Sequence, residues 1–178
     1  MTTLETLLSD PDIVGVWNLV PAHSAITFKV KNFWGLINVK GQFTEFNGDG
    51  QLTGKGSVFG RLDIDVASLR TGIARRDKHL LSADFFDAER FPKITVVVTA
   101  LQPKAGKGAE LRASFSIKGV TDPVPLAVTI TELDDGSVQI AGEAQIERSQ
   151  FDLGWNKLGM VSGGVTASAQ AVFVRAPR

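Results

Sequence analysis

The two histidines, His23 and His79, are the side chains in this sequence with the widest choice of chemistry. Ser24 follows His23 directly, so in a strand the two side chains point to opposite faces and cannot act as a nucleophile with its base. Asp77 and His79 are two residues apart, a spacing at which helical side chains do not face each other. The chain has no HExxH pattern or other two-histidine metal spacing. The sequence therefore predicts no catalytic residue, no metal site and no cofactor.

Arginine side chains are better suited than these histidines to hold the polar group of a ligand, because a guanidinium matches a phosphate or a carbonyl. We predict five candidates for this contact: His23, Arg75, Arg76, His79 and Arg148. The alternative for the arginines is a surface ion pair with a nearby carboxylate such as Asp77, which would stabilise the fold little. The sequence leaves both interpretations open.

The composition is that of a globular protein. Of the 178 residues, 43% are hydrophobic and 21% are charged, enough to bury a core. The 19 basic and 19 acidic residues balance, which argues against a nucleic-acid partner. The absence of cysteine excludes disulfides and thiol catalysis. The first residues show no signal-peptide pattern, and no stretch approaches the roughly 18 apolar residues of a membrane-spanning helix. We therefore expect a soluble, cytoplasmic protein without an integral membrane segment.

Alternation of apolar and polar residues dominates the chain after Trp17 and predicts about eight antiparallel strands. An N-terminal arm (1–16) precedes the predicted barrel or sandwich domain (17–178). Turn signals at 47–50 (NGDG), 103–108 (PKAGKG) and 134–136 (DDG) fit hairpins. The last strand places Ala167 and Ala169 on its apolar face, and such small residues favour a barrel with a hollow interior. The alternative is that a phenylalanine from a facing strand fills this space.

The stretch from Ile73 to Phe91 interrupts the alternation with apolar residues at helical spacing. We predict two short helices that cross between strands at one end of the barrel. Their apolar side is expected to cover the barrel mouth.

Five motifs show a resemblance to a known family. They are WNLVPAHSAITFKV (17–30), GQFTEFNGDG (41–50), SLRTGIARRDKHLLSADFFDAERFPKITV (68–96), FSIKGVTDPVPLAV (115–128) and IERSQFDLG (146–154). Together they resemble the YceI-like family of lipocalin-like, polyisoprenoid-binding barrels. The resemblance implies an all-β, antiparallel lipocalin-like barrel with a short helical crossover at one end. It also implies a long prenyl chain inside the barrel, as part of a polyprenyl phosphate or an isoprenoid quinone.

We therefore predict a non-enzymatic protein that binds, stores or carries a polyisoprenoid lipid. The predicted cavity lining is Ile26, Phe28, Val30, Val39, Phe43, Phe85, Phe86, Phe115, Ala167, Ala169 and Phe173. One alternative is an enzyme that acts on an apolar small molecule in the same cavity. Another is a stress-related interaction module with a filled barrel, which would use the loop 153–164 as its contact surface. A homodimer is left open.

Overall fold

The structure, a computed structural model, describes residues 4–32, 36–153 and 163–177 and is dominated by twelve strands in one sheet. The strands are β1 Gly15–Leu19, β2 Ala25–Asn32, β3 Ile37–Phe43, β4 Phe46–Leu52, β5 Val58–Asp65, β6 Leu69–Arg70, β7 Lys93–Pro103, β8 Gly108–Ile117, β9 Val120–Pro123, β10 Leu126–Glu132, β11 Val138–Glu147 and β12 Gly164–Arg175. The two α-helices are α1 Leu4–Leu8 and α2 Ala74–Leu81. No helix among these residues is long and apolar enough to cross a membrane.

The twelve strands combine into eight long ones. β1 and β2 follow one another along β12, and β9 and β10 follow one another along β8. In the same way, β5 pairs with β4 while β6 pairs with β3. Each long strand is antiparallel to the next in the chain, and β12 pairs with β1 and β2 to close the ring. The predicted lipocalin-like antiparallel barrel of about eight strands is therefore confirmed.

The period-two pattern in the sequence determines which side chains face the barrel interior. In β8, Ala109, Leu111 and Ala113 are buried, while Glu110 and Arg112 between them are exposed. Because successive side chains of a strand point to opposite faces, this register puts the apolar residues inside the closed sheet. The same alternation in the other strands gives the barrel an apolar interior and a polar exterior.

A short 3₁₀ helix, Pro21–His23, separates β1 from β2. The ladder with β12 continues across this gap because Val20 N donates to Val172 O at 2.8 Å. Ser24 supplies the next link: its hydroxyl accepts from Val172 N at 2.9 Å and donates to Val20 O at 2.8 Å. The Ser24 side chain thus takes the place of a backbone carbonyl in the ladder that closes the barrel.

The up-and-down topology gives the barrel two different ends, because successive connections alternate between them. The hairpin end carries the turns 53–57, 104–107 and 133–137 together with α1. The crossover end carries the long connection 71–92, which includes α2, and the tight turn at Lys118 and Gly119. The sheet begins at Gly15, inside the segment predicted as an N-terminal arm.

Two local predictions are wrong. The motif at 47–50 is not a turn but lies within β4. Its glycines permit close contact with β5, since a Cβ at Gly48 would lie 2.7 Å from the carbonyl oxygen of Arg61. The predicted second helix of the crossover is a series of turns, with Asp87 at a φ of 51°. Backbone bonds from Asp87 N to Ser82 O and from Phe91 N to Asp87 O fold this segment without a helix.

We predict that Ser24→Ala lowers the free energy of unfolding by about 1–2 kcal/mol, because it removes the acceptor of the half-buried Val172 N–H. Urea denaturation measures the effect. The control is Ser57→Ala, an exposed residue whose backbone N–H, and not its hydroxyl, bonds to Thr53. This control should stay within about 0.5 kcal/mol of the parent protein. Equal effects of the two substitutions would contradict the role given to Ser24.

Candidate binding cavity

The barrel interior contains a cavity of about 440 Å³ with an almost entirely apolar wall. Its size lies within the roughly 300–1,000 Å³ typical of small-molecule sites. All eleven residues predicted as its lining lie on this wall: Ile26, Phe28, Val30, Val39, Phe43, Phe85, Phe86, Phe115, Ala167, Ala169 and Phe173. The structure thus brings them together around one space, while their contact with a ligand stays a prediction.

Small residues on two sides of the barrel create this space. On one side, Ala167, Ala169 and Ala171 of β12 face the cavity. On another side, Gly50 of β4 and Gly60 of β5 are directly opposite each other in the ladder, and both line the cavity. A Cβ at Gly50 would have only the Phe59 carbonyl oxygen within 4 Å, at 3.3 Å. At Gly50 the wall is therefore backbone, and no side chain occupies the adjacent lumen.

The ring of Phe28 lies along the wall of the barrel. Phe28 lies over Gly41, its cross-strand partner in β3, where a Cβ at position 41 would collide with the Phe28 ring. The Phe28 ring also lies 5.6 Å from the ring of Phe43. Phe28, which is paired with Ala167 on its other side, therefore packs over the neighbouring strand β3. A cavity of this size is at odds with the filled-barrel alternative, whose contact loop at 153–164 lies largely outside the described residues.

The connection 71–92 closes the crossover end of the cavity. The Phe86 ring meets the Phe43 ring edge-on at 6.2 Å, and the His79 ring meets the Phe85 ring edge-on at 5.3 Å. Lys118, whose side chain is only 10% exposed, fastens the connection. Its Nζ donates to Asp152 O at 3.0 Å and to Ala83 O at 3.4 Å. This bridge joins the connection to the segment after β11.

Three of the five predicted polar contacts, Arg76, His79 and Arg148, lie at the cavity. His23 and Arg75 are exposed and lie outside the lining. Arg75 and Arg76 differ because successive helical side chains point in directions about 100° apart, so only one of them can face the barrel. The structure thus separates two adjacent arginines that the sequence treated alike.

Neighbouring oxygen atoms orient the side chains of Arg76, His79 and Arg148. Arg76 Nε donates to Thr71 Oγ1 at 2.9 Å, and its Nη2 donates to Thr71 O at 2.9 Å. His79 Nε2 lies 3.0 Å from Asp84 Oδ2. These contacts hold polar groups at the crossover end of a wall that is almost entirely apolar.

Arg148 is the most buried of the three, with 6% of its surface exposed. Its Nη1 donates to Leu153 O at 2.7 Å. Burial lowers the pKa of its guanidinium, and the nearby Glu147 carboxylate opposes that shift. The group still keeps its proton at ordinary pH, because a guanidinium in a protein is not deprotonated. Arg148 therefore brings a positive charge to the cavity wall.

The other buried polar residues serve the turns of the barrel. Ser68, Asp87 and Ser137 are buried and none lines the cavity. Ser68 Oγ donates to Asp65 O at 2.7 Å, and Ser137 Oγ donates to Asp135 Oδ1 at 2.5 Å. Within the described part of the chain, no group of three or more acidic or histidine residues is arranged to hold a metal ion.

The N-terminal arm contributes three cavity residues that the sequence analysis missed, Leu7, Leu8 and Ile13, and Trp17 of β1 also lines the wall. A signal for them was present, because Leu4, Leu7 and Leu8 have the i, i+3, i+4 spacing of a helix with one apolar face.

Sequence comparison identifies related proteins. The sequence profile of the YceI-like domain family matches residues 17–173. A UPF0312 protein of Shewanella sp. strain ANA-3 is 33% identical over 107 residues, which are 59% of this chain and 56% of the relative. A UPF0312 protein of Pseudomonas putida strain W619 is 28% identical over 147 residues, 82% of this chain and 75% of the relative. The chain therefore spans little more than half the length of the Shewanella relative.

Solved structures with the same fold include BcnA of Burkholderia cenocepacia, with a TM-score of 0.80 and 24% identity over 86% of this chain and 98% of that protein. A polyisoprenoid binding domain from Saccharophagus degradans, implicated in plant cell wall breakdown, has a TM-score of 0.72. It is 16% identical, over 90% of this chain and 98% of that domain. At these identities the likeness shows a shared fold.

We predict that Ala169→Phe reduces uptake of an apolar fluorescent probe at least several-fold, because the new ring enters the cavity. For the same reason the free energy of unfolding should change by less than about 1 kcal/mol. Probe titration and urea denaturation measure the two effects. The control, Ala113→Phe, places the same ring at a site that is 3% exposed and packed outside the cavity lining. Overpacking there should cost about 1–3 kcal/mol. A loss of stability in Ala169→Phe with unchanged uptake would show that this wall is already filled.

Proposed function

We propose that this chain, which belongs to the YceI-like domain family, binds a long-chain polyisoprenoid lipid inside its barrel and does not catalyse a reaction. The observation that carries the proposal is the apolar cavity of about 440 Å³ within a closed antiparallel barrel. A polyisoprenoid binding domain with the same fold supports the choice of ligand. The Ala167, Ala169 and Gly50 surfaces leave room for the methyl branches of a prenyl chain.

Affinity in such a cavity comes from removing the tail from water. Each five-carbon isoprene unit contributes on the order of 3 kcal/mol at the usual value per buried carbon. Ordering the flexible tail offsets part of this gain. Longer tails should therefore bind more tightly than shorter ones until the cavity is full.

The positions of Arg76, His79 and Arg148 give the ligand a direction. All three lie at the crossover end, so the headgroup would lie there and the tail would extend toward the hairpin end. Guanidinium groups suit a polyprenyl phosphate, and they also donate to the carbonyl oxygens of an isoprenoid quinone. We propose storage or transport of such a lipid as the use of this binding. A cytoplasmic location belongs to the proposal as an expectation, and a homodimer is left open.

We predict that an organic extract of the purified protein contains a polyisoprenoid lipid in near-stoichiometric amount. Mass spectrometry of the extract identifies its headgroup and tail length. The Ala169→Phe protein, purified in the same way, should yield at least several-fold less because its lumen is blocked. Equal amounts from both proteins would show that the lipid does not occupy the barrel interior. Incubating the purified protein with the lipid found in the extract tests the enzyme alternative. Conversion of that lipid into a different compound would favour an enzyme.

The role of the headgroup contacts is tested by comparing a polyprenyl phosphate with the polyprenol of the same length. We predict that the phosphate binds roughly tenfold or more tightly to the parent protein, as expected for charge-assisted hydrogen bonds. Arg148→Gln should remove most of this preference, while the affinity for the polyprenol changes little. Arg75→Gln, on the exposed side of α2, should leave the preference intact. If both variants behave alike, Arg148 does not contact the headgroup.

A further inference from the structure

We infer that α1 forms the floor of the cavity at the hairpin end and sets the longest isoprenoid tail that the barrel encloses. This inference rests on the proposed lipid binding and adds a length limit to it. α1 belongs to the N-terminal arm, which enters the sheet only at Gly15. The floor is thus formed by a separate segment and not by the barrel strands themselves.

The apolar face of α1 packs against the barrel interior. Leu4 is 3% exposed and Leu7 is 8% exposed, although both belong to a helix of only five residues. They pack in one cluster with four buried strand residues: Ala109, Leu111, Val128 and Ile130. These partners lie near the hairpin-end termini of β8 and β10. Because Leu7, Leu8 and Ile13 also line the cavity, the arm supplies part of the surface that a tail would meet.

The hairpins at this end do not supply a floor of their own. A Cβ built at Gly54, Gly56, Gly106 or Gly136 would meet no atom within 4 Å. The turns therefore face open space at these positions, and none of the residues 53–57, 104–107 and 133–137 lines the cavity. α1 does reach the cavity, because its buried Leu7 both packs on the hairpin-end wall and lines the cavity.

The arm is anchored to the barrel just after α1. Trp17 Nε1 donates to Ile13 O at 2.8 Å, and Arg175 donates to the carbonyl oxygen of Asp12. These bonds fix residues 12 and 13 against β1 and β12. α1 itself is too short to be stable as an isolated helix, so its position depends on the burial of Leu4 and Leu7. A tail that reaches the floor competes for the same apolar surface.

The floor predicts how affinity depends on tail length. In the parent protein each added isoprene unit should raise affinity by roughly tenfold to a hundredfold until the tail reaches Leu7 and Leu8, the upper value being the gain from burial before the ordering cost is subtracted. A longer tail must then displace α1 or leave its last unit in water, so the affinity stops rising. A chain-length limit is the measurable sign of the floor.

The test is a titration of the full chain with polyprenols of increasing length, compared among three proteins. In Leu4→Ser/Leu7→Ser the apolar contacts of the floor are lost, and the length at which affinity stops rising should increase by at least one isoprene unit. In the control, Glu5→Ser/Thr6→Ser, both substitutions lie on exposed positions of the same helix and the limit should not change. An unchanged limit in a folded Leu4→Ser/Leu7→Ser protein would overturn the inference.

A second measurement does not depend on the stability of that variant. Because the chain has no cysteine, Glu5→Cys provides a single exposed site for an environment-sensitive dye on α1. The dye should respond to polyprenols beyond the limit and not to shorter ones. A response that is the same at every length, or absent at every length despite uptake, would contradict the floor. If the folded parent protein takes up no polyprenol of any length, the proposed function itself fails and the floor inference fails with it.

Discussion

Closure of the sheet by β12 is the constraint on which the rest of the structure depends. One edge of β12 pairs with β11, and the other pairs first with β2 and then with β1. An open eight-stranded sheet would expose two unpaired edges and would enclose no cavity. Between β1 and β2 the backbone pairing with β12 is interrupted, and the Ser24 hydroxyl supplies a hydrogen bond to β12 at this point. β12 also supplies Ala167 and Ala169, so the strand that closes the barrel also keeps its interior open.

The up-and-down topology assigns different tasks to the two ends of the barrel. The short turns of the hairpin end span adjacent strands but leave the opening to the N-terminal arm. Two connections of the crossover end, 71–92 and 148–163, are long, and they carry α2, Phe85 and Arg148 to the cavity. Apolar side chains close one end, whereas polar and cationic groups gather at the other. This polarity follows from the lengths of the connections and from which residues they carry.

The sequence predicted the eight long strands and the apolar lining because strict alternation leaves one choice of inward face per strand. The prediction of a turn at NGDG was wrong because glycine occurs both in turns and in strands that approach a neighbour closely. Gly48 lies in β4, where the backbone of β5 leaves no room for a Cβ. The sequence also could not predict which side chains of α2 face the cavity. Distinguishing Arg75 from Arg76 requires knowing which face of the helix meets the barrel. The cavity contribution of Leu7 was missed because its partners on β8 and β10 are about 100 residues away in the chain.

A lumen with an almost entirely apolar wall selects a ligand mainly by its volume and length. Burial energy is non-directional and grows with the area removed from water, so the wall between β4 and β12 cannot distinguish one prenyl lipid from another of equal size. Selectivity must then come from the two ends, where geometry and charge are specific. In the proposed complex, the positive charge of Arg148 would respond to the headgroup, and the apolar boundary at α1 would respond to the length of the tail. A barrel built in this way can change its ligand by altering the two ends while its strands, register and closure stay the same.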